Sequence, residues 1–218
     1  MMPISRKLIG IIGVIAASIL PAQADQQMID AESFTELGGW VVDQQSMDQM
    51  GSPFIMAHGL GEKVKDAQTK IQIRKRGGHR VWVRTRDWVG RWKSDEYEGP
   101  MKASGSPGIF HLAINNRPLE TLFGEHGAEW HWQDGGTIDL AAGEHTLALQ
   151  DLTGFNGRCD VILLVDDLDF KPSNTPEGIQ ALRDRLLPHQ QAVVDKGDYD
   201  LVVVGGGMAG ICAAVSSA

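Results

Sequence analysis

The order of apolar and polar residues between 32 and 170 is typical of short strands separated by turns. Apolar side chains alternate with polar ones over 70–74 and 79–85, and the segment 160–165, apolar after Asp160, has the pattern of a buried strand. Alternation with a period of two places the apolar side chains on one face of a strand. Roughly nine or ten such segments, with turn residues every 8–12 positions, predict a mainly β fold, a jelly-roll-like β-sandwich over residues 32–170.

Glycines predict where some of these strands are joined. Gly77 and Gly78 stand between two alternating segments, which predicts a β-hairpin. In the same way, residues 134–136 predict a turn that separates a strand at 129–133 from a strand at 137–140.

Residues 171–197 predict a linker that contains one short helix. Ile179, Leu182 and Leu186 recur at helical spacing. Pro188 would end this helix because proline cannot continue the backbone hydrogen bonding. The residues from there to 197 are mostly polar and would lead into the last segment.

The last segment, 198–218, joins an apolar run to closely spaced glycines. Residues 201–204 predict a buried strand, and Gly205, Gly207 and Gly210 follow with the spacing G-x-G-x-x-G. Small apolar residues then predict the first turns of a helix. Glycines at this spacing permit a sharp turn and let a pyrophosphate approach the helix N-terminus. The segment therefore predicts the β-turn-α start of a Rossmann-type domain.

The acidic residue that binds the ribose in such domains lies about 20 residues beyond the glycines. Only eight residues follow Gly210. We therefore expect the sequence to be the N-terminal part of a longer protein, with a truncated cofactor domain at its end. The alternative is a complete binding domain that carries a glycine-rich tail.

Five motifs together resemble a group of secreted bacterial FAD-dependent oxidoreductases that carry an N-terminal β-sandwich domain. DYDLVVVGGGMAG at 198–210 resembles the start of the FAD-binding domain. GWVVDQQSMDQMGSP at 39–53, VWVRTRDW at 81–88, AEWHWQDG at 128–135 and DLTGFNGRCD at 151–160 resemble the preceding domain.

The resemblance implies FAD as the cofactor and a catalytic body downstream of this chain. It places the FAD pyrophosphate at Gly205, Gly207 and Gly210, the cofactor residues that carry over. The catalytic residues, the substrate and the electron donor and acceptor have no counterpart in this sequence.

Residues 1–24 have the pattern of a secretory signal peptide. Arg6 and Lys7 precede an apolar stretch over 8–20, and Ala22-Gln-Ala24 is a cleavage motif. This stretch is too short to be a membrane anchor. We expect an exported protein, periplasmic or extracellular, without membrane attachment after cleavage.

The net charge of −8 at pH 7 narrows the choice of partners. An acidic surface is repelled by nucleic acid phosphates and by anionic membranes. The sequence therefore favours FAD and a glycan or small-molecule substrate as partners, and no nucleic acid.

The six tryptophans suggest what the sandwich binds. Trp40 and Trp82 lie within predicted strands and are expected to fill the core. Trp88 and Trp92 lie in a loop over 87–108, where exposed aromatic side chains are typical of a binding surface. Stacking on sugar rings and docking on a flavin domain are two explanations for their position.

Polar residues near these tryptophans in the sequence could bind sugar hydroxyls. The candidates are Arg86, Asp87, Asp134 and Asn156.

Metal and thiol chemistry receives little support from the sequence. His126 and His131 do not have the spacing of zinc ligands. Asp166, Asp167 and Asp169 could hold calcium, but a solvated acidic turn is the more common arrangement. Cys159 and Cys212 fall in different predicted domains, so we expect no disulfide and no metal.

Two functions follow. The first is the N-terminal part of an exported FAD-dependent oxidoreductase, with the flavin chemistry downstream and no activity in this chain alone. The alternative is a secreted, non-enzymatic carbohydrate-binding β-sandwich.

Overall fold

A computed structural model describes residues 25–99, 103–187 and 197–217. The predicted signal peptide at 1–24 and Pro188 lie outside the described residues. The described part is mainly β, as predicted, and few helices accompany the strands.

Ten strands are present in the described residues. They are β1 (Gln26–Asp30), β2 (Trp40–Asp43), β3 (Phe54–His58), β4 (Ala67–Ile73), β5 (Gly77–Thr85), β6 (Phe110–Ile114), β7 (Arg117–Pro118), β8 (His131–Leu140), β9 (Gly143–Asp151) and β10 (Phe155–Val165). Three α-helices accompany them: α1 (Met47–Met50), α2 (Pro176–Leu186) and α3 (Met208–Ser217).

The strands form two sheets. The six-stranded sheet has the order β2-β3-β10-β5-β8, with β1 paired to β10 beside β3, and the four-stranded sheet has the order β4-β9-β6-β7. Every pairing is antiparallel. β1 pairs with 161–165 of β10, so the sheet includes residues N-terminal to position 32.

The main core lies between the two sheets because alternate residues of each strand face inward. β6 contributes Phe110, Leu112 and Ile114, and β10 contributes Ile162 and Leu164. These side chains are at most 1% exposed. Apolar burial on this scale, about 25 cal/mol for each Å² removed from water, is what holds the sheets together. The β-sandwich prediction is confirmed.

The predicted hairpin at Gly77 and Gly78 is wrong. β4 pairs with β9 in the four-stranded sheet, whereas β5 pairs with β8 and β10 in the other sheet. The glycines therefore carry the chain from one sheet to the other. Both strands alternate with the same period, and the period alone does not tell a hairpin from a crossing between sheets.

The predicted turn at 134–136 is also wrong, because β8 runs through it without interruption. The ladder between β5 and β8 shifts register between Arg80 and Trp82, opposite this segment. Gly136 has a φ of +82°, and its N–H donates to Asp134 Oδ1 at 2.9 Å. The glycines thus form a bulge within one strand, an alternative role that glycine has in sheets.

The outer face of the six-stranded sheet is covered by α2, the short helix predicted in the linker. Pro176 occupies the first turn, and Thr175 Oγ1 accepts a hydrogen bond from Gly178 N at 3.1 Å, so the helix begins with a side-chain cap. Leu182 packs in a second apolar cluster with Trp82 and Leu163. The linker helix is therefore part of the folded domain.

Residues 197–217 contain α3 but no strand. The buried strand predicted at 201–204 pairs with no strand of the described chain, and Leu201, Val202 and Val204 are exposed. A lone segment cannot bury both faces, since burial of such a strand requires neighbours on each side. None of the helices in the described ranges is long and apolar enough to cross a membrane.

Candidate functional site

A cleft of about 340 Å³ opens at the end of the sandwich where β5 ends and β8 and β10 begin. Segments that are distant in the sequence meet there. Its lining consists of Gln45, Ser46, Phe54, Arg86, Trp88, Trp92, Trp130 and Arg158.

The base of the cleft is aromatic and buried. The rings of Phe54 and Trp130 meet edge to face, with centroids 4.9 Å apart. Both side chains pack with Met50 of α1 in a small apolar cluster on the outer face of the six-stranded sheet. This packing gives the cleft a rigid base.

One wall of the cleft is a pair of tryptophans. Trp88 donates from Nε1 to the Phe155 carbonyl at 2.9 Å, and its ring lies where a side chain on Gly108 would stand: a Cβ there would be 2.8 Å from Trp88 Cδ1. Trp92 lies perpendicular to Trp88, with ring centroids 5.6 Å apart, and is 41% exposed. The loop prediction for these two residues is confirmed.

The loop that carries the tryptophans is fixed by Asp87, whose side chain is buried. Asp87 Oδ1 accepts from Val89 N at 3.1 Å, and Oδ2 pairs with Lys93. Gly90 allows close packing, because a Cβ at this position would lie 2.7 Å from the Ala128 Cα. The tryptophan wall is therefore held in place before any ligand binds.

Two arginines, Arg86 and Arg158, bring positive charge into the cleft. Among the described residues, neither guanidinium forms a side-chain hydrogen bond or an ion pair. Arg158 lies 5.5 Å from the ring centroid of Trp88 and 6.0 Å from that of Phe54. These aromatic faces attract the guanidinium but do not neutralise it.

Burial lowers the pKa of both arginines. Burial, with the charge of Arg86 as the next cause, lowers the pKa of Arg158 to about 10. Burial is also the main cause that lowers the pKa of Arg86. Both side chains stay charged near neutral pH, so the cleft holds two cations that form no ion pair with the described side chains.

Next to the cleft, the same face of the sheet holds arginines that do have acidic partners. Arg84 Nη1 lies 2.9 Å from Asp160 Oδ2, and Arg183 Nη2 of α2 lies 3.0 Å from Asp160 Oδ1. Arg183 also pairs with Asp30. This network fixes α2 to the sheet.

The acids in and around this network are poorly solvated. Burial raises the pKa of Asp160, although Arg183 and Arg84 oppose the rise. Burial, with Asp30 as the next cause, raises the pKa of the neighbouring Glu32 to about 8. Glu32 Oε2 is buried without a hydrogen-bond partner in the described structure.

The structure brings together only some of the residues predicted to bind a ligand. Trp88, Trp92 and Arg86 line the cleft. Asp87 does not, because its carboxylate holds the loop, and this prediction is wrong. Asp134 is also absent from the cleft lining: it pairs with Arg80 elsewhere on β8.

Asn156 lies at the rim, next to Phe155, whose carbonyl holds Trp88. Its φ of +59° marks a bulge in β10, and its Oδ1 lies 2.8 Å from His58 Nδ1.

Arg158 was missed in the sequence, whereas Trp130 stood out there as one of four clustered tryptophans with Trp88, Trp92 and Trp132. Arg158 follows Gly157 at the start of an apolar strand, and an arginine in such a place is a signal that it points to an acid or to a ligand. Trp130 is covered by Arg84, whose Cζ lies 5.9 Å from the ring centroid. The strand pattern alone does not place either residue beside Trp88.

The glycine motif forms a turn followed directly by a helix, as its spacing predicts. Gly205 has a φ of +105°, and α3 begins at Met208. A Cβ on Gly210 would lie 2.0 Å from the Gly205 carbonyl oxygen, whereas a Cβ on Gly207 would meet nothing within 4 Å. Gly210 is therefore required for the turn to close, and Gly207 leaves the approach to the helix N-terminus open.

A cavity of about 510 Å³ beside α3 is not the predicted phosphate site. It is lined by residues 198–201, Val203, Ala214 and Ser217. Ala214 and Ser217 lie in the last turns of α3, at the end opposite the glycines.

Within the described ranges, no group of three or more His, Cys, Asp or Glu side chains could hold a metal ion. Asp166 accepts from Asp25 N at 2.7 Å, and Asp167 Oδ1 accepts from Asp169 N at 3.1 Å, so two acids of this turn already bind backbone N–H groups. Cys159 is buried, Cys212 is exposed, and both are free thiols.

No protein-family model matches the chain, and no curated protein matches it either.

Three solved structures have folds similar to that of this chain. A GH26-CBM35 β-(1,4)-mannanase from Podospora anserina is 18% identical with a TM-score of 0.49, and the match covers 68% of this chain and 30% of that one. A family 35 carbohydrate-binding module from Clostridium thermocellum is 11% identical with a TM-score of 0.46, with 65% and 98% covered. The C-terminal CBM6 of the Zobellia galactanivorans laminarinase LamC is 15% identical with a TM-score of 0.44, with 65% and 100% covered. The likeness is one of β-sandwich fold.

Proposed function

We propose that the sandwich is a carbohydrate-binding module whose ligand site is the cleft at Trp88 and Trp92. The observation that carries this proposal is the aromatic wall: Trp92, 41% exposed, stands against Trp88 at the mouth of a cleft. Sugar rings have apolar C–H faces that pack on aromatic rings, and their hydroxyls need hydrogen-bond partners. Gln45 and Ser46 supply polar groups in the same lining.

The rigidity of the wall formed by Trp88 and Trp92 supports a role in ligand binding. An exposed tryptophan in a mobile loop would lose conformational entropy when it ordered around a ligand. Here Asp87 and Gly90 fix the loop, and Trp88 is held by the Phe155 carbonyl. A sugar would meet a surface that is already formed, so little of the binding free energy goes into ordering it.

The test is affinity electrophoresis and calorimetry of the complete chain with a panel of neutral and acidic oligosaccharides. Trp92→Ala should weaken binding about fivefold or more, because stacking on one aromatic ring contributes on the order of 1 kcal/mol or more. Trp92→Phe keeps an aromatic face and should retain most of it. Tyr199→Ala removes an exposed aromatic residue outside the cleft and is the control. Failure of every sugar to bind would exclude the proposal.

A second function, the FAD-dependent oxidoreductase, is favoured by the glycine turn. Gly205, Gly207 and Gly210 form a tight turn before α3 with an open approach to its N-terminus, where backbone N–H groups attract a pyrophosphate. When bound, FAD supplies the redox chemistry of such enzymes. In this proposal the sandwich is an accessory domain of an exported flavoprotein.

This second function is tested on the protein produced from its native gene in its native host. A visible flavin spectrum that copurifies with the protein is the expected result. Gly210→Ala should abolish the spectrum because its Cβ would collide with the Gly205 carbonyl, whereas Gly206→Ala, whose Cβ meets nothing within 4 Å, should keep it. A colourless protein would exclude FAD and leave the sandwich as the functional unit.

A further inference from the structure

We propose that the cleft recognises an acidic sugar, through an oxyanion bound between Arg86 and Arg158. The inference rests on the proposed carbohydrate-binding function and specifies its ligand class. The oxyanion is a carboxylate, as in a uronate, or a sulfate ester. Both present paired oxygens that match the donors of guanidinium groups.

The first argument is charge compensation. Taking a cation out of water costs several kcal/mol unless an anion or a set of acceptors replaces the solvent. Arg84 and Arg183, on the same face, share Asp160. Within the described residues, Arg86 and Arg158 form no ion pair with an acid, and the charge of Arg86 adds to the cost of burying Arg158. A ligand anion would supply the missing compensation.

Three acids act on the two arginines, Asp87 and Glu129 on Arg86 and Asp43 on Arg158, but none forms an ion pair with either of them. Asp43 Oδ1 accepts a hydrogen bond from Gln45 N at 2.8 Å. Asp87 follows Arg86 directly, but its carboxylate is occupied by Lys93 and the Val89 N–H. Glu129 pairs with Arg91 at 2.6 Å. Because these acids have other partners, an incoming anion would not have to displace one of them from the arginines.

The second argument is geometric. The guanidinium of Arg158 lies against the rings of Trp88 and Phe54, which restrict its orientation. Arg86 Nε is buried and has no acceptor among the described groups. Both arginines line the same cleft as Trp92. A sugar that packs on Trp92 can therefore direct a ring substituent toward the two cations.

A neutral sugar would fit this cleft less well. Hydroxyls would replace the water around the arginines but would not neutralise the charges, and an unsatisfied buried polar group is costly. Positive charge in a cleft of a chain with a net charge of −8 also concentrates anions locally. The cleft thus differs in sign from the protein as a whole.

The experiment measures binding of four probes to the complete chain by calorimetry at low and high salt. The probes are trigalacturonate, its fully methyl-esterified form, dextran sulfate and dextran. We expect trigalacturonate or dextran sulfate to bind more tightly than its neutral counterpart, with an affinity that falls as salt rises. The two acidic probes distinguish a carboxylate from a sulfate as the oxyanion.

The variants are Arg158→Gln, Arg86→Gln and the control Arg76→Gln, which removes the same charge at the opposite end of β5. Loss of a hydrogen bond to a charged group should weaken acidic-probe binding about tenfold or more in the first two variants and leave neutral-probe binding unchanged. Arg158→Lys keeps the positive charge but lacks the paired N–H donors of the guanidinium. Its affinity for the acidic probes should therefore lie between those of the wild type and Arg158→Gln. Near-UV circular dichroism checks that each variant is folded.

The outcomes separate the two proposals. Equal binding of acidic and neutral probes, unaffected by Arg158→Gln, would overturn the acidic ligand and keep the carbohydrate site. An equal loss of affinity in Arg76→Gln would also overturn it, since the effect would then come from net charge. No binding of any probe, with Trp92→Ala indistinguishable from wild type, would overturn both.

Discussion

Two pairs of arginines lie on the outer face of the six-stranded sheet, and they differ in what neutralises them. Arg84 and Arg183 share Asp160, and this arrangement fixes α2 to the sandwich. Arg86, directly after β5, and Arg158 of β10 line an open cleft and form no ion pair within the described chain. The first pair serves the fold, and we infer that the second pair serves a ligand.

The two pairs show that buried arginines on one surface can be either neutralised by acids of the protein or left without an ion pair. In the covered region, the desolvation cost of the arginines is met inside the molecule by Asp160 and Asp30. In the cleft, the same cost remains and lowers the pKa of Arg158 to about 10. A site whose charges are uncompensated before binding gains more from an anion than a site already neutralised.

The largest effect on stability is expected when Arg84 and Arg183 lose the acid that they share, so that they resemble the unpaired arginines of the cleft. Asp160→Asn would leave Arg84 without its acid and Arg183 with Asp30 alone, and should reduce the free energy of unfolding by about 3–5 kcal/mol. Urea denaturation measures this change. Asp134→Asn removes one acid from the more exposed pair with Arg80 and should cost less than about 1 kcal/mol. Similar costs for both variants would show that the buried network does not hold the fold.

The next largest effect on stability depends on pH and concerns Glu32, which lies beside Asp30 and Asp160. The pKa of Glu32 is about 8 in the folded chain against an ordinary value of 4.5, so folding favours the protonated form. Its contribution to stability is complete below pH 4.5 and is lost as the pH rises through 8. Each unit of pKa difference corresponds to about 1.4 kcal/mol.

Glu32→Gln removes this titration. The variant should match wild type in unfolding free energy at pH 4 and exceed it by about 2 kcal/mol or more at pH 9. Denaturant titrations at both pH values provide the comparison. A wild-type stability that rises between pH 5 and 8 while that of the variant stays level would contradict the burial of Glu32 as a protonated acid.

A smaller effect compares the two kinds of arginine directly. Arg158→Gln removes an uncompensated cation, so its unfolding free energy should be unchanged or higher by up to about 1 kcal/mol. Arg84→Gln removes a cation that neutralises Asp160 and should be destabilising by about 3 kcal/mol or more. The two melting curves, recorded under one set of conditions, test whether the cleft arginines have a role in the fold.

The smallest stability effect is expected for Trp92→Ala. Trp92 is 41% exposed and belongs to none of the apolar clusters, so the unfolding free energy should change by about 0.5 kcal/mol or less. Together with the loss of sugar binding proposed above, this would separate binding from stability. A large loss of stability would mean that Trp92 supports the loop.

Much of the fold could be predicted from the sequence because strand alternation is a local property. Ile71 and Ile73 in β4, and Val81 and Val83 in β5, all face the core as their spacing predicts. The pairing of strands is not local. A glycine such as Gly77 is compatible both with a hairpin turn and with a connection between two sheets. The sequence did not distinguish these, and the hairpin prediction was wrong.

The cleft could be predicted only in part, for the same reason. Trp88 and Trp92 were recognisable because they stand in a loop rich in glycine and polar residues. Arg158 joins them because β10 lies beside β5, with Cys159 opposite Thr85. That register is set by the whole sheet. Asp87 was predicted to bind a ligand, but a polar residue in a loop can instead bind the loop itself. Its contacts with Lys93 and the Val89 N–H show the second role.

The position of β10 also has a consequence for the timing of folding. It is the last strand of the sandwich in the sequence, yet it pairs with β1, β3 and β5. The hydrogen bond from Asp25 N to Asp166 joins residues 141 positions apart. Contacts of this length form slowly and only after most of the chain has been synthesised. If residues 1–24 direct export, as their pattern predicts, this delay keeps the chain unfolded until it has crossed the membrane.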